Sequence, residues 1–352
     1  MCNKSYDDIN IPKNIDDVIE QGVAMAMEER KTRNNKRRMK TMGKIAAGLG
    51  VMVTLGVANP ALASKLPIVG GVFESIERNI YFPGNYSEYA TSINETVYSN
   101  GIGVTLSEVL CDGQSLYVTY KVESEKPFRN TSWNNDGEMD MDQLIMEEAY
   151  NRVDFSFKEL DNTGFAGIEG KFIDEKTFVG VQKYHLDSLE TEIPDEFEFK
   201  TKIKYIENYN TEDEDKSDIR KGTWAFKVPV KVNKDLKKVV EVENIESDIA
   251  KLNSVSITPF GLSVDVSYKE GTWDKYEACV TDENGRSLQM EMGSQYGNDG
   301  KNERIYFGKP LDDVKEVKIT IGEPELTLVD SANGVYEQTG SKVVLEGKVK
   351  IK

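Results

Sequence analysis

Most of the chain alternates apolar and polar residues with a period of two, which is the pattern of half-buried β-strands. The clearest case is GIGVTLSEVL followed by SLYVTYKVES, with the turn Cys111-Asp112-Gly113-Gln114 between them. Two further hairpin turns are predicted at Asp282–Gly285 and Ser331–Gly334. Other predicted strands cover Arg152–Leu160, Lys171–Ile173, Thr177–Leu186, Glu196–Glu207, Gly222–Val232, Ser254–Thr258, Gly261–Tyr268, Tyr276–Thr281, Ser287–Met292, Arg304–Phe307, Glu316–Ile321 and Val343–Ile351.

The predicted strands fall into two groups, residues 83–234 and residues 235–352, with the stretch KVNKDLKKVVEV at their junction. Within the first group, EMDMDQLIMEEAYN is interpreted as a helical insertion. Long helices and the parallel βαβ pattern are both missing from this part of the sequence. We therefore expect a mainly β fold with two antiparallel immunoglobulin-like β-sandwich domains.

Ahead of the strands the apolar spacing becomes helical. From Ile45 to Ala63 no residue is charged, and these 19 positions would span about 28 Å as a helix, enough for a bilayer core. We predict a transmembrane helix at residues 43–63. Seven Lys and Arg residues lie between Lys31 and Lys44, so the positive-inside rule places residues 1–42 in the cytoplasm and the C-terminal bulk outside the cell.

The end of the apolar run leaves an alternative open. Asn59-Pro60 would end the helix, and Ala61-Leu62-Ala63 before Ser64 fits the small-residue pattern that signal peptidase cuts. The 44 residues before the run favour a retained anchor, because signal peptides are usually far shorter in total. The sequence thus permits either a single-pass anchor or a long leader that is removed.

Residues 64–82 carry a second amphipathic pattern. Its apolar stripe consists of Leu66, Val69, Val72, Phe73, Ile76 and Ile80, with Glu74, Glu77 and Arg78 opposite. We expect a juxtamembrane helix that packs on the first sandwich or rests on the outer leaflet of the membrane.

The first 42 residues contain one more helical pattern, NIDDVIEQGVAMAMEERK, with Asn14 as N-cap. Its apolar face includes Ile15, Val18, Ile19 and Met25. A short helix without a domain of its own needs a partner for this face, either a protein groove or the membrane surface. These four residues are the candidate partner-binding residues.

Charge and cysteine usage exclude several classes of protein. Residues 1–42 carry a net charge of +2 and the remaining 310 carry −19, for a total of −17. Nucleic-acid binding is not expected, because clustered Lys and Arg occur only near the start. The three cysteines, Cys2, Cys111 and Cys279, match no disulfide framework and no zinc spacing. Each is expected to be a small buried apolar residue, with a single Cys111–Cys279 bridge as the alternative.

No stretch of the sequence indicates a catalytic or cofactor site, so we expect no enzyme activity, no cofactor and no metal. His185 is the only histidine and lies in a strand pattern, where we expect it on the surface. Oxygen-bearing side chains recur at every second position from Asn134 to Asp142, as hard cations require. The EF-hand template nevertheless fails, because Met141 stands where its glycine is needed. A solvated acidic loop is the interpretation we favour.

The order of parts resembles a Gram-positive family of membrane proteins, the domain of unknown function 4179 family. The stretches that carry the resemblance are ANPALASKLPIVGGVFESI and GIGVTLSEVLCDGQSLYVTYKVES. The resemblance implies an anti-sigma-factor-like regulator with a C-terminal immunoglobulin-like domain. It also implies that the N-terminal helix binds a cytoplasmic sigma factor of the extracytoplasmic-function class, while the outer domains meet an extracellular ligand.

A second hypothesis is a secreted or surface-anchored module that binds cell-wall polymer or protein. Under that hypothesis the first residues are only a leader. Under the first, the protein stays in the cell membrane with its N-terminus in the cytoplasm.

Overall fold

The computed structural model describes residues 71–77, 84–131, 144–161, 168–209, 217–269, 275–296, 301–330 and 335–352, all within one compact unit, Lys65–Lys352. Over these residues the fold is mainly β with antiparallel sheets, as the alternating pattern predicts. The helix α1 (Val72–Ile76) comes first, and 3-10 turns lie at Tyr86–Glu88, Leu186–Leu189 and Lys234–Leu236. The strands are β1 (Thr91–Ser99), β2 (Ile102–Cys111), β3 (Ser115–Ser124), β4 (Leu144–Val153), β5 (Glu169–Asp174), β6 (Thr177–His185), β7 (Glu196–Asn208), β8 (Asp218–Lys231), β9 (Lys238–Glu241), β10 (Ala250–Thr258), β11 (Gly261–Tyr268), β12 (Glu277–Asp282), β13 (Met290–Tyr296), β14 (Asn302–Gly308), β15 (Glu316–Asp330) and β16 (Val335–Lys350).

The first two sheets, ordered β1-β2-β3-β6-β5 and β4-β7-β8, form a β-sandwich, called here the first sandwich. One hydrophobic core joins them, with Leu106 and Tyr120 from the larger sheet and Phe199 and Trp224 from the smaller. Trp224 is fully buried, and its indole N–H donates to the carbonyl of Ile102 at 3.1 Å. This bond satisfies the polar end of a large apolar side chain and ties β8 to the larger sheet.

The other two sheets, ordered β13-β14-β11-β10-β9 and β12-β15-β16, form the second sandwich. Its core combines Leu252, Val264 and Phe307 from the larger sheet with Ile319 and Leu345 from the smaller. Burying apolar faces in this way is the dominant favourable contribution to folding. The two sandwiches therefore each have a core of their own.

The prediction of a helical insertion is wrong from Leu144 onward, because these residues form strand β4. Leu144 and Met146 are buried and pair with β7. Register shifts on both sides of Glu148 let its carboxylate point inward, where it accepts bonds from Tyr184 and Thr201, each at 2.6 Å. Burial raises the pKa of Glu148. Cross-strand packing has decided the structure here, against a composition that favours a helix.

The prediction of a strand at Arg152–Leu160 is also wrong beyond Val153, where β4 ends. The chain turns back so that the backbone N–H of Leu160 donates to the Asn151 side chain at 2.7 Å. Leu160 is thereby buried in the core of the first sandwich without belonging to a strand. A side chain that bonds to nearby backbone groups can replace the hydrogen bonds of a strand ladder and so end the strand.

The predicted hairpin turns that begin at or next to Asp112 and Asp282 are confirmed. Asp112 and Asp282 each accept two backbone N–H bonds within their own turn, from Gln114 and Ser115 in one case and from Asn284 and Arg286 in the other. Such Asx bonds explain why Asp opens both turns. The turn at 331–334 lies outside the described residues, but Asp330 pairs with Val335 on either side of it.

The cysteine expectation is half correct. Cys111 is buried at the end of β2, whereas Cys279 is exposed on β12, and both are free. Cys279 lies opposite Thr320 on an outer strand, where the neighbouring sheet does not cover it. Cys2 lies outside the described residues. The Cys111–Cys279 bridge is therefore not formed.

Several predicted parts lie outside the described residues: the segments 1–42 and 43–63, and the loop Asn134–Asp142. In the part of the chain that the structure describes, no helix is long and apolar enough to cross a membrane.

Candidate functional site: the junction of helix α1 and the two sandwiches

Helix α1 lies on the outer face of the larger sheet of the first sandwich. Its residues Val72, Phe73 and Ile76 are buried and belong to one cluster with Tyr117 and Val179. For the part of the segment that the structure describes, this confirms that the apolar stripe packs on the first sandwich. The packing also explains why β2, β3 and β6 are buried on both faces, since one face meets the core and the other meets the junction.

Two carboxylates hold α1 and the turn after it in place. The backbone N–H of Phe73 donates to Glu108 Oε2 at 2.9 Å, and Glu108 itself is buried on β2. The backbone N–H of Ser87 donates to Glu77 Oε2, also at 2.9 Å. Each bond satisfies a backbone donor with a charged acceptor, which is stronger than a bond between neutral groups. A helix of only five residues depends on such tertiary contacts for its stability.

An aromatic cluster joins α1 to both sandwiches. Tyr86 stacks on Phe73 with ring centroids 5.5 Å apart and on Phe260 with centroids 4.4 Å apart. Tyr117 of β3 meets the edges of Tyr86 and Phe260 at 5.1 and 5.5 Å. Phe260 belongs to the turn between β10 and β11, so it carries the second sandwich into this cluster. We call Phe73, Tyr86, Tyr117 and Phe260 the junction aromatics.

A set of ion pairs lies next to the junction aromatics and links the sandwiches directly. Lys183 of β6 contacts Glu291 of β13 at 2.5 Å, and both side chains are largely buried. Arg304 of β14 contacts Asp265 of β11 at 2.8 Å and Asp187 of the first sandwich at 3.6 Å. Burial alone would lower the pKa of the Arg304 guanidinium, but the two carboxylates outweigh it and raise that pKa.

His185 lies at the centre of this junction rather than on the surface, so the sequence-based expectation for it is wrong. Its ring is 1% exposed and stacks on Tyr306 of the second sandwich with centroids 4.0 Å apart. Its Nε2 lies 3.7 Å from Glu291 Oε1. Burial, with a smaller contribution from Lys183, lowers the pKa of His185 well below its usual value. The imidazole is therefore neutral at physiological pH.

The Cys111–Gln114 turn brings a buried carboxyl to the same place. Asp112 Oδ1 accepts the N–H groups of Gln114 at 2.9 Å and Ser115 at 2.7 Å. Burial raises the pKa of Asp112, although these two bonds counteract the rise. Gln114 in turn accepts a bond from Ser263 of the second sandwich at 3.1 Å. The turn that the sequence singles out as a hairpin thus also contacts the second sandwich.

The charged side chains of this site are engaged with one another. Its acids and bases bind one another across the junction, as the pairs of Lys183 with Glu291 and of Arg304 with Asp187 illustrate. Buried pairs of this kind fix an orientation, because a displaced partner would leave an uncompensated charge. Among the described residues, no group of three or more acidic, His or Cys side chains is arranged to hold a metal ion.

The predicted partner-binding residues Ile15, Val18, Ile19 and Met25 lie outside the described residues, so their role stays a prediction. The junction itself was missed by sequence reasoning. One signal for it is present: FVGV in β6 places apolar residues at successive positions, and a strand that is apolar on both faces is covered on both faces.

Comparison with known proteins gives one family match over part of the chain and one solved structure with a similar fold. Residues 33–124 match the family described as a domain of unknown function, DUF4179, which confirms the resemblance inferred from the sequence. That match covers the apolar run, α1 and the first three strands. No curated protein matches the chain.

One solved structure, a conserved domain protein from Bacillus anthracis, is similar over 81% of this chain and 100% of its own, with a TM-score of 0.52 and 24% identity. The likeness shows a common fold. A marsupial T cell receptor (10% identity, 71% of this chain and all of its own) and bovine butyrophilin (8% identity, 69% of this chain and 94% of its own) each reach a TM-score of only 0.18.

Proposed function

We propose that the protein is a single-pass membrane signalling regulator of the anti-sigma-factor type. Residues 1–42 lie in the cytoplasm in this proposal, and the face Ile15, Val18, Ile19 and Met25 binds a sigma factor of the extracytoplasmic-function class. Residues 43–63 cross the membrane, and the two sandwiches meet a signal outside the cell. The protein acts by binding and has no enzyme activity.

The observation that carries the proposal is the position of α1. This helix begins nine residues after Ala63 in the sequence and is buried where the two sandwiches meet. Phe73 contacts Tyr86, and Tyr86 contacts Phe260 of the second sandwich. A change in the angle between the sandwiches therefore acts directly on the chain that follows the apolar run. A regulator that carries a signal across a membrane needs such a connection.

The test uses the full-length chain in the membranes of its host, with an affinity tag at the C-terminus. We expect the wild-type chain to capture a sigma factor after crosslinking, and the double variant Ile15→Asp/Ile19→Asp to lose it. The genes that this sigma factor controls should then become active. Glu20→Gln/Glu28→Gln is the matched control, because both residues lie mostly off the apolar face, and it should capture normally. Equal capture by both variants would refute the proposal.

The alternative of a secreted or surface-anchored binding module keeps one observation in its favour, the Ala61-Leu62-Ala63 pattern before Ser64. The N-terminal sequence of protein from membrane and culture fractions separates the two. A start at Met1 or Cys2 in the membrane fraction supports the regulator. A start at Ser64 in the medium supports the binding module, unless the cut depends on a signal.

A further inference from the structure

A pocket of about 390 Å³ opens at the end of the first sandwich away from the junction. The turn between β1 and β2, the end of β3 and the start of β8 line it. The junction lies at the other ends of β2 and β3, and these strands are ten residues long. At about 3.3 Å per residue, the two sites lie roughly 30 Å apart. The pocket volume is in the range of small-molecule sites.

Arg220 lines this pocket, and all the hydrogen-bond donors of its guanidinium are used. Its guanidinium donates to Asp218, to Ser124 Oγ and to the carbonyls of Lys126 and Pro127. The group also lies over the Phe128 ring, 4.2 Å from its centroid. A guanidinium with all its donors used holds the β3 end against the β8 start and leaves the pocket preformed.

Three further cations at the rim are not committed to carboxylates. Lys126, Arg129 and Lys221 line the pocket, are exposed, and have no ion-pair partner among the residues that the structure describes. The opposing charges are Asp218, which Arg220 neutralises, and Glu125. The lining therefore carries four positive and two negative charges in a chain whose net charge is −17. A local excess of positive charge with low-dielectric walls attracts anions.

The short range of these charges restricts the size of the anion. Screening confines charge effects to about 8 Å at physiological salt, so a small anion held inside the rim gains the attraction of the three nearby cations.

We propose that this pocket binds a small molecule with a phosphate or carboxylate group, whose negative charge Lys126, Arg129 and Lys221 balance. The site shares no residue with the junction or with the predicted partner-binding residues of the first 42 positions. The inference goes beyond the proposed function and does not depend on whether a sigma factor is bound.

Calorimetric titration of the full-length protein tests the proposal, with inorganic phosphate, glucose 1-phosphate, glucuronate and neutral glucose as probes. We expect at least one of the anions to bind and glucose not to bind. Binding of the two phosphates alone identifies a phosphate site, and binding of glucuronate alone identifies a carboxylate site. The affinity should fall several-fold between 20 mM and 150 mM salt.

The variant Lys126→Gln/Lys221→Gln should weaken binding by about tenfold or more, because two of the three free cations are lost. Lys251→Gln/Lys350→Gln removes the same charge from exposed positions of the second sandwich and should change the affinity by less than about twofold. Both lysine pairs are exposed, so the folded state is retained. The proposal is wrong if no anion binds at 10 mM, or if the two variants weaken binding equally.

Discussion

Replacing Phe260 by Ala tests whether the junction aromatics connect α1 to the second sandwich. Phe260 is 1% exposed and its ring meets Tyr86 at 4.4 Å and Tyr117 at 5.5 Å. Burial of a full aromatic ring and the cavity left by its loss together amount to about 3–5 kcal/mol, of which each aromatic pair accounts for about 0.5–1.5 kcal/mol. We expect this loss in urea denaturation of the Phe260→Ala protein.

The same variant should loosen α1, although Phe260 and α1 are far apart in sequence. Hydrogen exchange at the amides of Phe73 and Glu77 reports this, because both N–H groups are bonded in the native structure. A local loss of about 3 kcal/mol corresponds to exchange that is about a hundredfold faster.

Phe157→Ala is the control for residue type, since Phe157 is 91% exposed, and it should change stability by less than about 0.5 kcal/mol. The structural role assigned to Phe260 is refuted if Phe260→Ala lowers the free energy of unfolding no more than Phe157→Ala does. It is also refuted if the amides of α1 exchange at the wild-type rate.

Two further predictions concern the charges of the junction. The native state keeps His185 neutral while the unfolded chain protonates it below about pH 6.5, so stability should fall as pH drops from about 7 to 5, and His185→Gln should flatten this part of the curve. Urea denaturation at each pH measures it, and an unchanged slope would contradict a neutral His185. Lys183→Met should cost about 3–5 kcal/mol by leaving Glu291 unpaired, and Lys183→Met/Glu291→Leu should recover most of that loss. As a control, Lys318→Met removes one partner of the exposed pair with Glu346 and should cost at most about 1 kcal/mol. If Lys183→Met/Glu291→Leu is as unstable as Lys183→Met, charge pairing is excluded as the cause.

The sequence predicts the elements that depend on local rules. The turns that contain Asp112 and Asp282 follow from the hydrogen bonds that an Asp side chain makes within its own turn. The strands β2 and β3 follow from simple alternation. These features need only neighbours along the chain, and a single sequence contains that information.

Features that depend on distant packing could not be predicted in the same way. The pattern around His185 reads as a half-exposed strand, because the second sandwich that covers it begins about 50 residues later. From the sequence, Glu148 is interpreted as part of a helical insertion, because the two register shifts that turn it inward are visible only against β7. Phe260 is a single aromatic residue in a turn, and the residues near it in the sequence do not predict which rings it contacts.

The two sites lie at opposite ends of the same pair of strands, so we expect them to be coupled. β2 runs from Ile102 at the pocket to Leu110 at the junction aromatics, and β3 runs back from Tyr117 to Ser124. Both strands are buried on both faces, so their side chains are closely packed along their length. We therefore expect a ligand that moves the pocket ends of these strands to change the surface on which α1 packs. Hydrogen exchange at Phe73 with and without the bound anion measures this coupling directly, and an identical rate would show that the pocket and α1 act independently.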